Sequence, residues 1–470
     1  MVFSSLIFIC GFLPAVLAGY YLCPRKLRNA LLLAASVVFY GWGEFHYLWV
    51  LFSVITLDYC GAILLGATDP LRASRRKWLL ALLIAANLAA LFWFKYCNFF
   101  MENIKLTFGF DPPFLEIILP LGISFYIFQS ISYLVDVYRG DVEPQYHYGK
   151  LALFVSFFPQ LVAGPILKYH DVARQIDRRR EGLPLAAQGG RRFIAGLAKK
   201  VLIANPAGYV ADQIFSTPGD SLSCSLAWLG AISYMLQIYF DFCGYSDMAI
   251  GLGNLFGFHF KENFNYPYLA NSMTDFWRRW HISLSTWFKE YLYIPLGGNR
   301  VGPRRVYFNL FVVFLITGLW HGAEWSFILW GLYNGVFLIL EKFFRIGAEE
   351  PAGFPKRLLR HGYLLVVVLF GWVLFRAPDI GSAGYYLKTM LGLSDPSQVY
   401  QTVFRYLTNE YMLLLAIACP VAAGLFRNVV KTHASPLKQI AADLFALLLL
   451  LLSLISLAGS THNPFIYFRF

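Results

Sequence analysis

Residues 306–340 read VYFNLFVVFLITGLWHGAEWSFILWGLYNGVFLIL. No lysine or arginine interrupts them, and their one histidine, His321, stands in mid-run. A span needs about 20 apolar residues, so the run is long enough for two short membrane crossings. Gly318 and Gly322 bracket Trp320-His321, which marks a place where a helix can break or be closely approached. A neutral imidazole in an apolar, partly wet break has the properties of a general base. It also has the properties of a side chain bonding across helices. The residues alone leave both readings open.

The rest of the chain agrees with a membrane setting. Of 470 residues, 58% are hydrophobic and only 14% are charged, against roughly 25% charged in soluble domains. That balance excludes a soluble enzyme, a disordered chain and a compact secreted domain. The formal charge of +12 belongs to cytoplasmic loops rather than to a nucleic-acid surface. Basic patches at 25–28, 72–77, 174–200, 261–305, 356–360 and 427–438 alternate with cation-poor loops at 43–46, 98–114, 212–224, 378–410 and after 460. The positive-inside rule then starts the N-terminus outside. It gives spans near 3–22, 29–43, 47–66, 78–96, 115–137, 193–212, 225–257, 306–320, 326–345, 362–377, 411–426 and 441–459. Residues 150–166, punctuated by Pro159, Gly164 and Pro165, read as a re-entrant hairpin, since non-helical backbone at depth must be covered by protein. The first 22 residues lack a basic start and a clean cleavage pattern, and are expected to be a retained span. The seven cysteines show no metal or disulfide spacing and read as buried apolar thiols. No internal repeat or linker divides the chain, so residues 1–470 are expected to form one membrane domain.

Polar groups inside such a chain narrow the search. Asp241 and Asp247 lie within LQIYFDFCGYSDMAIGLG (236–253), in a region free of lysine and arginine. An intramembrane acid costs roughly 2.5–3.5 kcal/mol on insertion scales, so each lines an internal site or ties helices together, for instance to Arg278 or Arg279. The stretch KENFNYPYLANSMTDFWRRWHISLSTWFKEYLYIPLGGNR (261–300) has interfacial composition. Thr274 or Asp275 is expected to cap a helix from Phe276, with Trp277, Trp280, His281, Leu284 and Phe288 on one face. Arg278 and Arg279 either grip an anionic donor or anchor in lipid headgroups. The other histidines, His46, His147, His170, His259, His361, His433 and His462, are assigned no chemistry.

Several chemistries are missing from the sequence. No histidine starts an HxxxD, Gly244-Tyr245-Ser246 lacks the second glycine of a nucleophile elbow, and there is no HExxH or phosphate-binding glycine loop. No metal and no bound cofactor are expected.

Three long motifs carry a resemblance: DFCGYSDMAIGLG (241–253), NFNYPYLANSMTDFWRRWHISLSTWFKEYLYIPLGGNR (263–300) and GLWHGAEWSFILWGLYNG (318–335). With the opening 22 residues, LPLGISFYIFQSISYLVDVYRGD (119–141) and SFFPQLVAGPILKY (156–169), they resemble the bacterial alginate O-acetyltransferase branch of the membrane-bound O-acyltransferase family. The likeness runs in order to about residue 345. Beyond it only hydropathy matches.

The resemblance implies an all-α polytopic bundle of about 11–12 transmembrane helices, with re-entrant and interfacial helices around a central tunnel. It places a catalytic core near 115–345. It implies that His321 is the catalytic histidine and that His281, forty residues earlier, accompanies it. Asp241, Asp247, Trp320, Arg278 and Arg279 are the candidate tunnel-lining and substrate-binding residues. Acetyl-CoA is the implied cytoplasmic donor and an exported polysaccharide, alginate or cellulose, the implied acceptor. The implied setting is the bacterial inner membrane, with lipid around the chain. A periplasmic SGNH-like transferase and a polysaccharide synthesis and secretion complex are the implied partners. Trp320 or a backbone N–H near Gly322 is a candidate oxyanion donor. The competing reading is a transporter or export channel of a secretion complex without acyl transfer. D-alanine transfer to teichoic acid is a further family activity.

Overall fold

The computed structural model describes residues 1–68, 73–110, 115, 117–347, 353–394, 402–425, 435–459 and 463–466. His433, His462, most of the basic patch 427–438 and part of loop 378–410 lie outside the described residues. Among the described residues the chain is helical throughout, with no strand. It divides into two compact units, residues 1–193 with 248–261, and residues 194–247 with 262–470.

The first unit holds α1 (Leu13–Leu22), α2 (Arg28–Glu44), α3 (Leu48–Ala67), α4 (Ala73–Phe108), α5 (Ile123–Arg139), α6 (Tyr148–Ser156), α7 (Phe158–Leu161) and α8 (Tyr169–Asp177). It also takes the start of α9 (Leu183–Ala198) and the end of α11 (Cys224–Leu255). Helix α5 packs against α3 and α4, and fourteen of its seventeen residues are buried. The expected span 115–137 is therefore a core helix that meets protein on all sides, which explains its buried Gln129, Ser130, Ser132 and Asp136. The apolar stretch 150–166 is broken as expected. Phe157 has φ −56° and ψ 113°, and Pro159 opens α7, where its missing N–H costs nothing. Tyr20, Arg28, Arg179 and Glu181 form a clamp in this unit: Arg28 pairs with Glu181, and Arg179 donates to the Tyr20 hydroxyl at 2.8 Å.

The second unit holds α10 (Asn205–Phe215), most of α11, α12 (Met273–Arg279), α13 (Ile282–Phe288), α14 (Pro303–His321), α15 (Trp325–Phe343), α16 (Phe354–Arg376), α17 (Ile380–Met390), α18 (Asn409–Ala422) and α19 (Pro436–Gly459). Ile214, Leu226, Val373, Tyr386 and Tyr411 form a core shared by α10, α11, α16, α17 and α18. Arg376 closes it with a 2.5 Å ion pair to Asp212.

Among the described residues six helical stretches are long and apolar enough to cross a membrane, the first (Arg25–Ala67) containing both α2 and α3. The helices at Ile7–Leu22 and Asn409–Ala422 are apolar but shorter. None of the seven cysteines forms a disulfide. Only Cys97 and Cys243 are buried in protein, which corrects the expectation of buried thiols. Cys10, Cys60 and Cys419 lie on outer faces of apolar helices, where a thiol serves as a small apolar group.

The tightest helix crossing is that of α14 and α15. A Cβ at Gly318 would lie 2.4 Å from the Phe327 carbonyl oxygen, and one at Gly331 2.4 Å from that of Phe314. Both neighbours are backbone and cannot retreat. Gly318→Val is expected to lower the thermal unfolding midpoint in detergent, by an overpacking cost of about 1–3 kcal/mol or more. Gly362→Ala, where nothing lies within 4 Å, should leave that midpoint unchanged or slightly raised.

Candidate active site

Helix α14 ends at His321 because Gly322 turns extended, at φ −163° and ψ 155°. No larger residue fits there, since a Cβ at Gly322 would lie 2.1 Å from the Phe327 ring. The break that the two glycines suggested is real, and it fixes the imidazole at a helix end. His321 is only 5% exposed. Its ring meets Trp320, Trp330 and Phe375 edge-on, at centroid distances of 4.9, 5.0 and 5.2 Å. With Ile238, Phe242, Trp280, Trp330, Trp372, Phe375 and Ile466 it lines a narrow cavity. Among these lining residues His321 is the single ionisable group. Trp372, Phe375 and Ile466 come from the part of the chain after residue 345.

The tryptophan-rich segment folds differently from expectation. A continuous helix through Phe276 and Phe288 is not formed. Helix α12 starts at Met273 and stops at Arg279, and α13 starts at Ile282. Between them Trp280 is extended and His281 is left-handed, at φ +44° and ψ +54°. Such a conformation is strained for a non-glycine residue, by roughly 1–3 kcal/mol, and persists only when its surroundings hold it. The cap is Ser272, whose hydroxyl accepts from Asp275 N at 3.1 Å; neither Thr274 nor Asp275 serves. Fully buried Glu341 of α15 adds a carboxylate at the same helix start, accepting from Met273 N at 2.5 Å and from Thr274 N at 2.9 Å. The far end is pinned by residues 263–265. Asn265 N donates to Arg279 O at 2.9 Å and Ile282 N to Asn263 O at 2.9 Å.

His281 is thereby buried behind the cavity wall. Its ring lies edge-on to Phe242 at 4.6 Å, and Phe242 is a lining residue. The Trp320 ring sits 6.2 Å from His281 and 4.9 Å from His321, so this indole touches both imidazoles. His281 lies outside the membrane spans, and burial pushes its pKa down to about 3, which holds the ring neutral.

The remaining candidates separate. Asp241 is 1% exposed and faces Lys200 at 2.8 Å, a charge contact more than an aligned hydrogen bond. Its Oδ2 accepts from Ile466 N at 2.8 Å. Asp247 pairs with Lys199 at 2.6 Å. The expected partners Arg278 and Arg279 are used by neither acid: Arg278 is exposed and Arg279 pairs with Asp275 at 3.0 Å. Both lysines lie in a π-helical turn, Lys199–Ala204, the kind of bulge that re-aims side chains at functional sites. Asp241 thus reaches the cavity through the C-terminal segment. Lys200 also donates to Asn205 Oδ1 at 2.8 Å and to the Pro464 carbonyl, and Phe465 stacks on Tyr245 at 4.6 Å. Sequence reading missed Lys200, Asn205 and residues 463–466. The one signal available was an aromatic-rich stretch following the last span.

Comparison with known proteins bears on this arrangement. The family model for membrane-bound O-acyltransferases matches residues 80–368. A protein of Pseudomonas putida described as a probable alginate O-acetylase is 42% identical, over all of both chains. One of Azotobacter vinelandii with the same description is 40% identical, again over all of both chains. A peptidoglycan O-acetyltransferase of Helicobacter pylori is 36% identical over all of this chain and 98% of its own. These alignments extend through the C-terminal third, where the sequence alone showed only matching hydropathy. They favour acyl transfer over the transporter reading. The chain belongs to the membrane-bound O-acyltransferase family, in its alginate O-acetyltransferase branch, and is a multi-pass membrane O-acyltransferase.

Proposed function

We propose that the chain takes acetyl from cytoplasmic acetyl-CoA and passes it across the inner membrane for O-acetylation of an exported polysaccharide, with His321 as the base. The observation that carries this reading is a single imidazole, at a helix end, in an aromatic cavity otherwise free of ionisable groups. An acceptor hydroxyl placed there attacks the thioester carbonyl. Its proton passes to His321, the C–O bond forms, the C–S bond breaks, and the departing thiolate takes the proton back. General-base action of this kind contributes about 10²–10⁴-fold. The flat indole and phenyl walls suit a thin, uncharged acyl-thioester arm and exclude bulk water. His281, Trp320 and Asp241 support the site from behind its wall, while Asp247, Arg278 and Arg279 act outside the cavity. On this reading the whole chain works as one membrane domain, with a periplasmic SGNH-like transferase completing transfer to alginate or cellulose. The Helicobacter pylori relative adds a second acceptor class, since its name assigns it to peptidoglycan.

Inverted membrane vesicles carrying the chain and its polymer system test the donor and the direction. Supplied outside with radiolabelled acetyl-CoA, they are expected to accumulate label in polymer inside the vesicle. Label that stays outside, or that moves only from a different donor, overturns this assignment.

A further inference from the structure

The strained turn at His281 has a partner that the acyl-transfer chemistry above does not use. Asn263 is buried, at 1% exposure, eighteen residues before the histidine. Its side-chain oxygen accepts the backbone N–H of Ser283 at 3.1 Å and the Ser283 hydroxyl at 2.9 Å. A backbone N–H can only donate, so the atom facing it must be the amide oxygen and not the amide nitrogen. That oxygen also lies 3.2 Å from His281 Nδ1. An amide oxygen cannot donate, so for this contact to be a hydrogen bond Nδ1 carries the proton, the Ser283 hydroxyl being engaged with the same oxygen. In a neutral imidazole the other nitrogen, Nε2, then holds the lone pair.

From this geometry we propose that Asn263 is a positioning residue that locks His281 in the Nδ1–H tautomer, making Nε2 a hydrogen-bond acceptor within the acyl-transfer site. The inference rests on the reading that His281 belongs to that site. It divides the work between the two histidines. Asn263, Ser283 and the rings of Phe242 and Trp320, which pack on the His281 ring, are neutral. An amide in place of a carboxylate orients the ring without making it a stronger base. His281 therefore accepts and orients a hydrogen bond, and net proton removal falls to His321. The backbone of the same residue holds the turn, because the Asn263 main-chain carbonyl takes the Ile282 N–H at 2.9 Å, so tautomer and turn are set by two groups of one residue.

The direct test is ¹⁵N NMR of histidine-labelled full-length protein in nanodiscs, with the His281 signals identified by their loss in His281→Gln. A neutral ring protonated on Nδ1 is expected. A neutral ring protonated on Nε2, or an equal mixture of tautomers, overturns the proposal without any variant of Asn263. Two substitutions extend the test. Asn263→Asp keeps an oxygen acceptor and is expected to keep Nδ1 protonated, with a ring made more basic by the buried carboxylate. Asn263→Leu removes the acceptor and is expected to scramble the tautomer and lower kcat at least tenfold, with KM for the donor unchanged. If Asn263→Leu keeps the wild-type tautomer while folding normally, the proposal fails. If His281→Ala transfers acetyl at the wild-type rate while the tautomer is as expected, His281's place in the site fails instead.

Discussion

His321→Ala is expected to abolish polymer-bound acetyl in cells, with a loss of about 10²–10⁴-fold in turnover and normal amounts of protein in the membrane. The size follows from chemistry. A hydroxyl attacking a thioester must lose its proton, and among the residues lining the cavity no other side chain can take one. The normal protein level follows from position. His321 is the last residue of α14, and the rings of Trp330 and Phe375 pack edge-on against it. Truncation leaves the Gly318–Gly331 crossing intact. His321→Gln keeps polarity and much of the volume but is a far poorer proton acceptor, and it should be nearly as inactive. Polymer acetylation by mass spectrometry, normalised to membrane protein, is the readout. Wild-type acetylation in either variant would remove His321 from the chemistry.

The second large effect is expected at Asp241. Asp241→Ala leaves the Lys200 ammonium buried, at 2% exposure, without its counter-charge. It also leaves Ile466 N–H without its acceptor. Breaking a buried pair from one side costs about 3–5 kcal/mol, mostly as the penalty of the stranded charge. Thermal unfolding in detergent should show a drop of that order. Because Ile466 lines the His321 cavity, limited proteolysis should also expose the C-terminal segment. Lys200→Met in the same chain removes the stranded charge, and the double variant should recover much of the lost stability. A double variant as unstable as Asp241→Ala alone would show that the pair is not what holds these elements.

Much of this was legible in the sequence, for identifiable reasons. The spans follow from long apolar runs between basic patches, and the helix ends match the expected limits to within a few residues at α3, α11, α14 and α15. His321 stood out because glycines flank it in a run with no lysine, no arginine and no other histidine. The turn at His281 was not. The aromatic residues around it keep a helical spacing on both sides, and a pattern of period 3.6 carries no sign that the chain reverses between Trp280 and Ile282. What breaks the helix is Asn263, a long-range contact whose effect depends on backbone pairing. The partner of Asp241 was hidden for a related reason. Lys200 and the Arg278–Arg279 pair precede and follow α11 in the chain, and the sequence reading named only the arginines as counter-ions. The π-helical turn at Lys199–Ala204 decides between them by turning Lys200 inward, and a single inserted residue per turn leaves no compositional trace.

The C-terminal segment shows where hydropathy falls short. Residues 463–466 add few apolar residues to a chain already rich in them, yet they supply a wall of the cavity and two backbone groups to the Lys200–Asp241 pair. Their position depends on polar contacts with residues more than two hundred positions away.

A cryo-EM structure of the full chain in nanodiscs with a non-transferable acetyl-CoA analogue is the most direct test of the central claim. The account predicts density for the acyl-thioester end between Trp280, Trp330, Trp372 and Phe375, with its carbonyl carbon within reach of His321 through one hydroxyl. An analogue bound in full elsewhere, with the His321 cavity closed and empty, would contradict it.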